Sequence, residues 1–325
     1  MTESASTSAS TTRSRALLVV LFLVCASAVV ELAVNARITA GVARRDDWMD
    51  ALAFVRSEWQ PTDVVTSAPR WTDPLLREAA HSLIDRNMAG RSDNHRYARL
   101  WVASIRGEVS DEAPEGAPEF ERDFGEVHVA RYALPAPSLQ YDFVDHIEEA
   151  RVVRMDGSNA IPCNFTPSFG NNISGGLQAG PLEGPRHQCD PARPWLWVGA
   201  TTTMDYALVG RRCIWNHPEG SNPIISTYEN ILLGDTVSLY GGLWWEQERT
   251  LDRGDVELVV RVDGEEIGRM RHHDGDGWKH MEASIPEARR GSRGSIAIEV
   301  TSPAPDWRSF CWAGGVLGSS QGASQ

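Results

Sequence analysis

The chain reads as an α+β protein: an N-terminal transmembrane helix, a small α/β domain and an antiparallel, jelly-roll-like β-sandwich. Three observations predict this. One apolar run of membrane length, Ala16 to Val34, stands near the start. Helical and strand periodicities then alternate from residue 46 to 135. After Cys213, short strand-like segments follow one another with no helical pattern between them, as in an antiparallel sandwich. The boundaries that follow are a disordered cytoplasmic tail at 1–15, an anchor at 16–34, the α/β domain at 46–135, the sandwich at 139–313 and a disordered tail at 314–325.

The run ALLVVLFLVCASAVVELAV holds one charge, Glu31, and as a helix spans about 28 Å, close to the roughly 30 Å of a hydrocarbon core. Ala26-Ser27-Ala28 resembles a signal-peptidase site, so a cleaved leader is the alternative. The apolar run continues past that site, which favours an uncleaved anchor. Arg13 and Arg15 on one side face Arg37, Arg44 and Arg45 on the other, so charge alone does not orient the segment.

Cysteines supply the orientation. Cys25 lies in the apolar run, leaving Cys163, Cys189, Cys213 and Cys311, with no C-x-x-C and no zinc-module spacing. Four such cysteines after an export-type segment read as two disulfides in an oxidising compartment. Of the three pairings, Cys163–Cys189 with Cys213–Cys311 is favoured. The expected location is the cell membrane, single-pass, with soluble domains on the extracytoplasmic side.

Within 46–135, Asp46 or Asp47 caps a helix with Trp48, Leu52, Val55 and Trp59 on one side, ended by Pro61. Residues 63–66 form a short strand. Asp73-Pro74 opens a second helix that turns Leu76, Ala79, Ala80 and Leu83 inward. Tyr97 to Ile105 is apolar and fits helix or strand. Ser110 to Pro118 is a surface loop, and Gly125 to Leu134 alternates as a strand.

Residues 163–194, rich in Gly, Pro and Asn, read as a long loop held by a disulfide. Sandwich strands are expected at Ile224–Leu232, Thr236–Trp245, Val256–Val262, Glu265–Arg271, Trp278–Ile285, Ser295–Thr301 and Ser309–Ala313. Asp263-Gly264 is a hairpin turn, since both positions tolerate positive φ.

Net charge is −13, with 31 basic against 44 acidic residues, which argues against nucleic acid as a partner. No G-x-S-x-G, H-E-x-x-H, Walker loop or dinucleotide fingerprint is present, and no pattern calls for a cofactor. His272, His273, Asp274 and Asp276 form a metal-like cluster, but an EF-hand needs an oxygen ligand where Trp278 stands; a Gly-rich hairpin turn is the simpler reading. Glu246 and Glu248, two apart at an expected strand end, share a face about 7 Å apart and so resemble paired glycosidase acids, although productive pairs usually come from different strands. Asn164-Phe165-Thr166 and Asn172-Ile173-Ser174 are glycosylation-type sequons.

Eight of the twelve tryptophans lie from Trp195 onward. Trp215 and Trp312, beside cysteines, are expected in the core. In the adjacent pair Trp244-Trp245, strand alternation sends one ring outward, making it the best ligand-contact candidate.

The pattern DDWMDALAFVRSEW…PTDVVTSAPRWTDPLLREA (46–79), with FGEVHVARY, RRCIW, DGW and FCWAGG further on, resembles the extracytoplasmic soluble region of bacterial multi-pass membrane glycosyltransferases of the protein-mannosyltransferase type. Those enzymes hold their catalytic acids in loops between many membrane helices, and this chain has one apolar segment. The resemblance therefore implies an accessory module rather than a catalyst. The leading reading is a membrane-anchored, non-catalytic protein whose sandwich binds carbohydrate or protein, accessory to envelope glycan assembly. An envelope glycoside hydrolase or glycosyltransferase-related enzyme, and a purely structural envelope protein, are the alternatives.

Overall fold

The computed structural model describes residues 7–40, 42–167, 185–250 and 253–318. Helix α1 (Thr7–Ala40) contains the apolar run. Its stretch Val19–Arg37, with mean hydropathy 2.3 and none of it buried, is the one helix among the described residues long and apolar enough to cross a membrane. There follow α2 (Arg45–Ser57), β1 (Asp63–Ala68), α3 (Asp73–Ala80), α4 (Arg86–Ala89), β2 (Arg99–Ile105), β3 (Phe120–Phe124) and β4 (Val127–Ala133). The remaining strands are β5 (Leu139–Asp142), β6 (Arg151–Asp156), β7 (Asn159–Pro162), β8 (Asn164–Thr166), β9 (Arg186–Gln188), β10 (Trp197–Met204), β11 (Gly210–Asn216), β12 (Ile224–Leu232) and β13 (Thr236–Leu243). After the short helix α5 (Trp245–Glu248) come β14 (Val256–Val262), β15 (Glu265–His272), β16 (Lys279–Ser284), β17 (Arg293–Thr301) and β18 (Phe310–Leu317).

Two compact units result, one from residues 1–59, 66–81 and 101–132, the other from 60–65, 82–100 and 133–325. In the first, Asp47 caps α2 from inside the helix, accepting the Arg44 N–H at 2.8 Å. Trp48, Ala51, Leu52 and Val55 are buried at the expected period, and α3 buries Leu76, Ala79 and Ala80. Leu83, expected inward, is only half-buried, because α3 stops at Ala80. The sheet order is β1-β2-β4-β3. Residues 99–105, ambiguous in the sequence, form a strand buried on both faces, which is why no alternation shows. Phe54 stacks on Phe120 at 5.2 Å and meets Trp101 edge-on at 6.1 Å.

The second unit is a sandwich of two antiparallel sheets, ordered β16-β13-β18-β11-β10-β9-β8, with β5 also pairing β18, and β15-β14-β17-β12-β6-β7. From β12 onward the chain crosses repeatedly between the sheets, as in a jelly roll. Val237, Leu239, Phe310 and Trp312 from one sheet share a core with Leu258, Val260, Ile296 and Ile298 from the other. Val262 pairs Glu265 across the two-residue turn, where Asp263 and Gly264 have φ of 48° and 87°. Both favoured disulfides are present, Cys163–Cys189 and Cys213–Cys311.

The 163–194 stretch is not one irregular loop: β8 and β9 pair within it, flanking the disulfide. Three-residue strands carry too little periodicity to be seen against Gly and Pro. Asn164 is exposed on β8, and the second sequon, at Asn172, lies outside the described residues.

Candidate functional site

The segment after β13 departs from the expected strand. Leu243 ends the ladder, Trp244 is the N-cap residue of α5, and Trp245 opens its single turn. Alternation therefore does not apply: Trp244 and Trp245 are both half-buried and meet edge-on at 6.3 Å. Helical geometry also separates the two acids, since residues i and i+2 point to opposite sides. Glu246 is exposed and Glu248 is fully buried, so they form no catalytic pair.

Glu248 instead organises the 272–278 turn. Its Oε1 accepts the Gly275 and Gly277 N–H groups at 3.0 and 2.9 Å, and its Oε2 accepts the Leu243 N–H at 3.1 Å. Burial outweighs these three bonds and pushes its pKa up to about 7. His272, also buried, donates from Nε2 to the Gly277 carbonyl at 2.9 Å and lies 3.4 Å from Glu248. Its Nδ1 has no partner among the described residues, and burial lowers its pKa, so the neutral ring is favoured.

The metal-like residues are each committed elsewhere. Asp274 takes both Arg308 guanidinium nitrogens and the Arg253 N–H. Asp276 binds the His273 N–H and Lys279, while His273 Nδ1 meets Asp255 at 2.5 Å. Among the described residues no three His, Cys, Asp or Glu groups are placed to hold a metal.

A pH prediction follows from this buried pair. Glu248 holds its proton more tightly folded than unfolded, so its contribution to stability is lost as pH rises from 4.5 to about 7. His272 holds its proton less tightly when folded, so its contribution is lost as pH falls below 6.5. In melting curves from pH 4.5 to 8, Glu248→Gln is expected to abolish the fall in stability on the alkaline side and leave only the acid loss. A wild-type alkaline fall that persists in this variant contradicts the assignment.

What α5 exposes is an aromatic surface. Arg249, one turn after Trp245, lies 5.0 Å from that ring and 5.7 Å from Tyr206. Tyr206 and Leu208, 42% and 49% exposed, sit at the tip of the β10–β11 hairpin. Asp205 fixes this tip: Oδ1 accepts the Ala207 and Val209 N–H groups at 2.9 Å, and Oδ2 accepts Arg211 Nε at 2.8 Å. The surface therefore combines a preorganised aromatic pair with a guanidinium. The sequence pointed to Trp244-Trp245 but missed Tyr206 and Arg249. Their only signal is the i,i+4 spacing of Trp245 and Arg249, visible once the segment is read as helix.

Trp215 and Trp312 are buried, as expected. Trp197 stacks on Trp215 at 5.5 Å. Trp278 donates from Nε1 to Ser92 Oγ at 3.0 Å, linking the turn to the segment that follows α4.

No protein-family model and no curated protein matches the chain. Solved structures with some likeness include the CBM51-2 and INT domains of Clostridium perfringens ZmpB, at 14% identity and TM-score 0.27, covering 37% of this chain and 26% of that one. The CBM51 of Clostridium perfringens GH95, in complex with methyl-galactose, matches at 15% identity and TM-score 0.26, covering 37% and 79%. The Caldicellulosiruptor saccharolyticus CBM27-1 with mannohexaose matches at 10% identity and TM-score 0.29, covering 51% and 95%. At these TM-scores the overlaps carry no argument, and the architecture rests on the strand pairing of this chain.

Proposed function

We propose that this is a membrane-anchored extracytoplasmic protein whose β-sandwich binds carbohydrate through the Tyr206–Arg249–Trp245 surface. The observation that carries the reading is the exposed Arg249, which lies against both the Asp205-locked, exposed Tyr206 and the Trp245 ring. Aromatic faces take up the C–H face of a sugar ring, and a neighbouring guanidinium donates to its hydroxyls. The anchor and location are supported by the unburied apolar stretch of α1 and by the two disulfides. A role beside envelope glycan assembly accords with the resemblance of residues 46–313 to soluble regions of membrane glycosyltransferases.

The test is a glycan panel with the full chain in detergent, followed by calorimetry on the best binder. Trp245→Ala and Tyr206→Ala are each expected to weaken binding by about tenfold or more, with unchanged melting. A panel without binders, or unchanged affinity in both variants, overturns the reading.

A further inference from the structure

Strand register gathers several connections at one end of the sandwich. Leu243, the last residue of β13, pairs Phe310, the first of β18, and Gly241 pairs Lys279 at the start of β16. In the other sheet Val256, the first residue of β14, pairs His272, the last of β15, and Glu257 pairs Thr301, the last of β17. The β13–β14, β15–β16 and β17–β18 connections therefore share that end. Asn216 pairs both Phe310 and Val198, so the segment leading into β10 joins them. The two most exposed tryptophans of this unit among the described residues, Trp307 at 47% and Trp195 at 40%, both lie there.

Trp307 is held out by its backbone. The Arg308 N–H donates to the Pro305 carbonyl at 3.1 Å, closing a turn with Trp307 in third position. Its φ is 62°, the left-handed state that glycine or asparagine usually supplies in such turns. A bulky residue in that state with its ring half in solvent gains little from core packing, which makes the display of the ring the thing to explain. The turn is rigidly seated, because the fully buried Arg308 grips Asp274 with two nitrogens. Arg253, whose N–H donates to Asp274 at 3.1 Å, sets its guanidinium 5.5 Å from the Trp307 ring. This repeats the pairing of Arg249 with Trp245 and Tyr206.

One turn joins the two pairs. Asp274 in the 272–278 turn carries Arg308 and Arg253, and three residues on, a Cβ at Gly277 would lie 3.9 Å from the Tyr206 Cβ. Glu248 of α5 holds the same turn through the Gly275 and Gly277 N–H groups. Trp307 and Tyr206 are thus separated by one short turn and the reach of an arginine, on the order of 20 Å. A single sugar ring does not bridge that distance, whereas a chain of sugars does.

We propose that this end of the sandwich binds a chain of neutral β-1,4-linked pyranoses, one ring on the Tyr206–Arg249–Trp245 surface and a later ring on Trp307 and Arg253. All-equatorial pyranoses in that linkage present flat C–H faces on successive rings, which is what spaced aromatic side chains take up. A protein of net charge −13 disfavours a polyanionic glycan, so the chain is neutral. The inference rests on the carbohydrate reading of the first surface and specifies its ligand as a chain rather than a terminal sugar.

The probes are cellohexaose and xylohexaose against cellobiose and xylobiose, titrated by calorimetry into the full chain in a detergent without a sugar headgroup. At least one hexamer is expected to bind tenfold or more tightly than its dimer. Trp307→Gly, which suits the positive φ, is expected to keep or raise the melting temperature while lowering that hexamer-to-dimer ratio to about three or less. Trp245→Ala is expected to weaken the hexamer by about tenfold or more. Equal affinity of hexamer and dimer, or a ratio that survives Trp307→Gly, overturns the proposal and leaves the aromatic-surface reading in place. Loss on Trp307→Gly with none on Trp245→Ala confines binding to Trp307 and overturns the continuous platform. No binding of either hexamer overturns the proposal, and the glycan panel then decides separately whether the carbohydrate reading stands.

Discussion

Replacing Cys213 and Cys311 together by alanine is expected to destabilise the sandwich by about 4.7 kcal/mol, the loop-closure entropy restored to an unfolded chain whose link spans 98 residues. Both cysteines are fully buried, on β11 and β18, which are neighbours in one sheet. The bond therefore ties together strands that the chain brings into register only after all of β12 to β17 has been laid down. Opening Cys163–Cys189, 26 residues apart, is expected to cost less, about 3.5 kcal/mol by the same relation. Denaturant midpoints of the two double-alanine variants check the order. A Cys163/Cys189 variant less stable than the Cys213/Cys311 one contradicts it.

Arg308→Ala is expected to cost about 3–5 kcal/mol, because it strands a charge that, among the described residues, is paired only by that side chain. Arg308 is fully buried and grips Asp274 with two nitrogens, and the Asp274 side chain is only 8% exposed. Among the described residues, removing the guanidinium leaves Asp274 with the Arg253 N–H alone. The double variant Arg308→Met with Asp274→Ala is expected to recover part of the loss, since no uncompensated charge then remains. Urea denaturation of the two variants measures this. Additive losses in place of recovery indicate that Arg308 acts by filling space and not by pairing.

The elements that local chemistry specifies were legible. β12 and β14 begin and end at the residues that apolar alternation marks, and the Asp263-Gly264 turn carries the expected positive φ at both positions. The helix bearing Trp48, Leu52 and Val55 shows its period plainly. Other elements were not legible, each for a definite reason. Strands β5 to β9 are three to six residues long, too short for a period to emerge among Gly, Pro and charged residues. Glu248, read as a strand-end carboxylate, is buried because α5 interrupts the ladder and turns it toward the backbone of a loop 27 residues away.

By itself the sequence determined the α+β class, the apolar segment, the hairpin and most sandwich strands, because these follow from hydrophobic period and turn chemistry within a few residues. It also made the favoured disulfide pairing readable, through an even cysteine set and the expected proximity of the strands that carry Cys213 and Cys311. Only the tertiary structure decided which distant polar residues came together. Tyr206 met Arg249, Arg96 met Asp142, and Arg212 met Asp145, across 43 to 67 residues of chain. Such meetings depend on how strands are ordered in a sheet and on a close approach of Gly90 to the Arg212 backbone, and neither leaves a periodic trace in the chain.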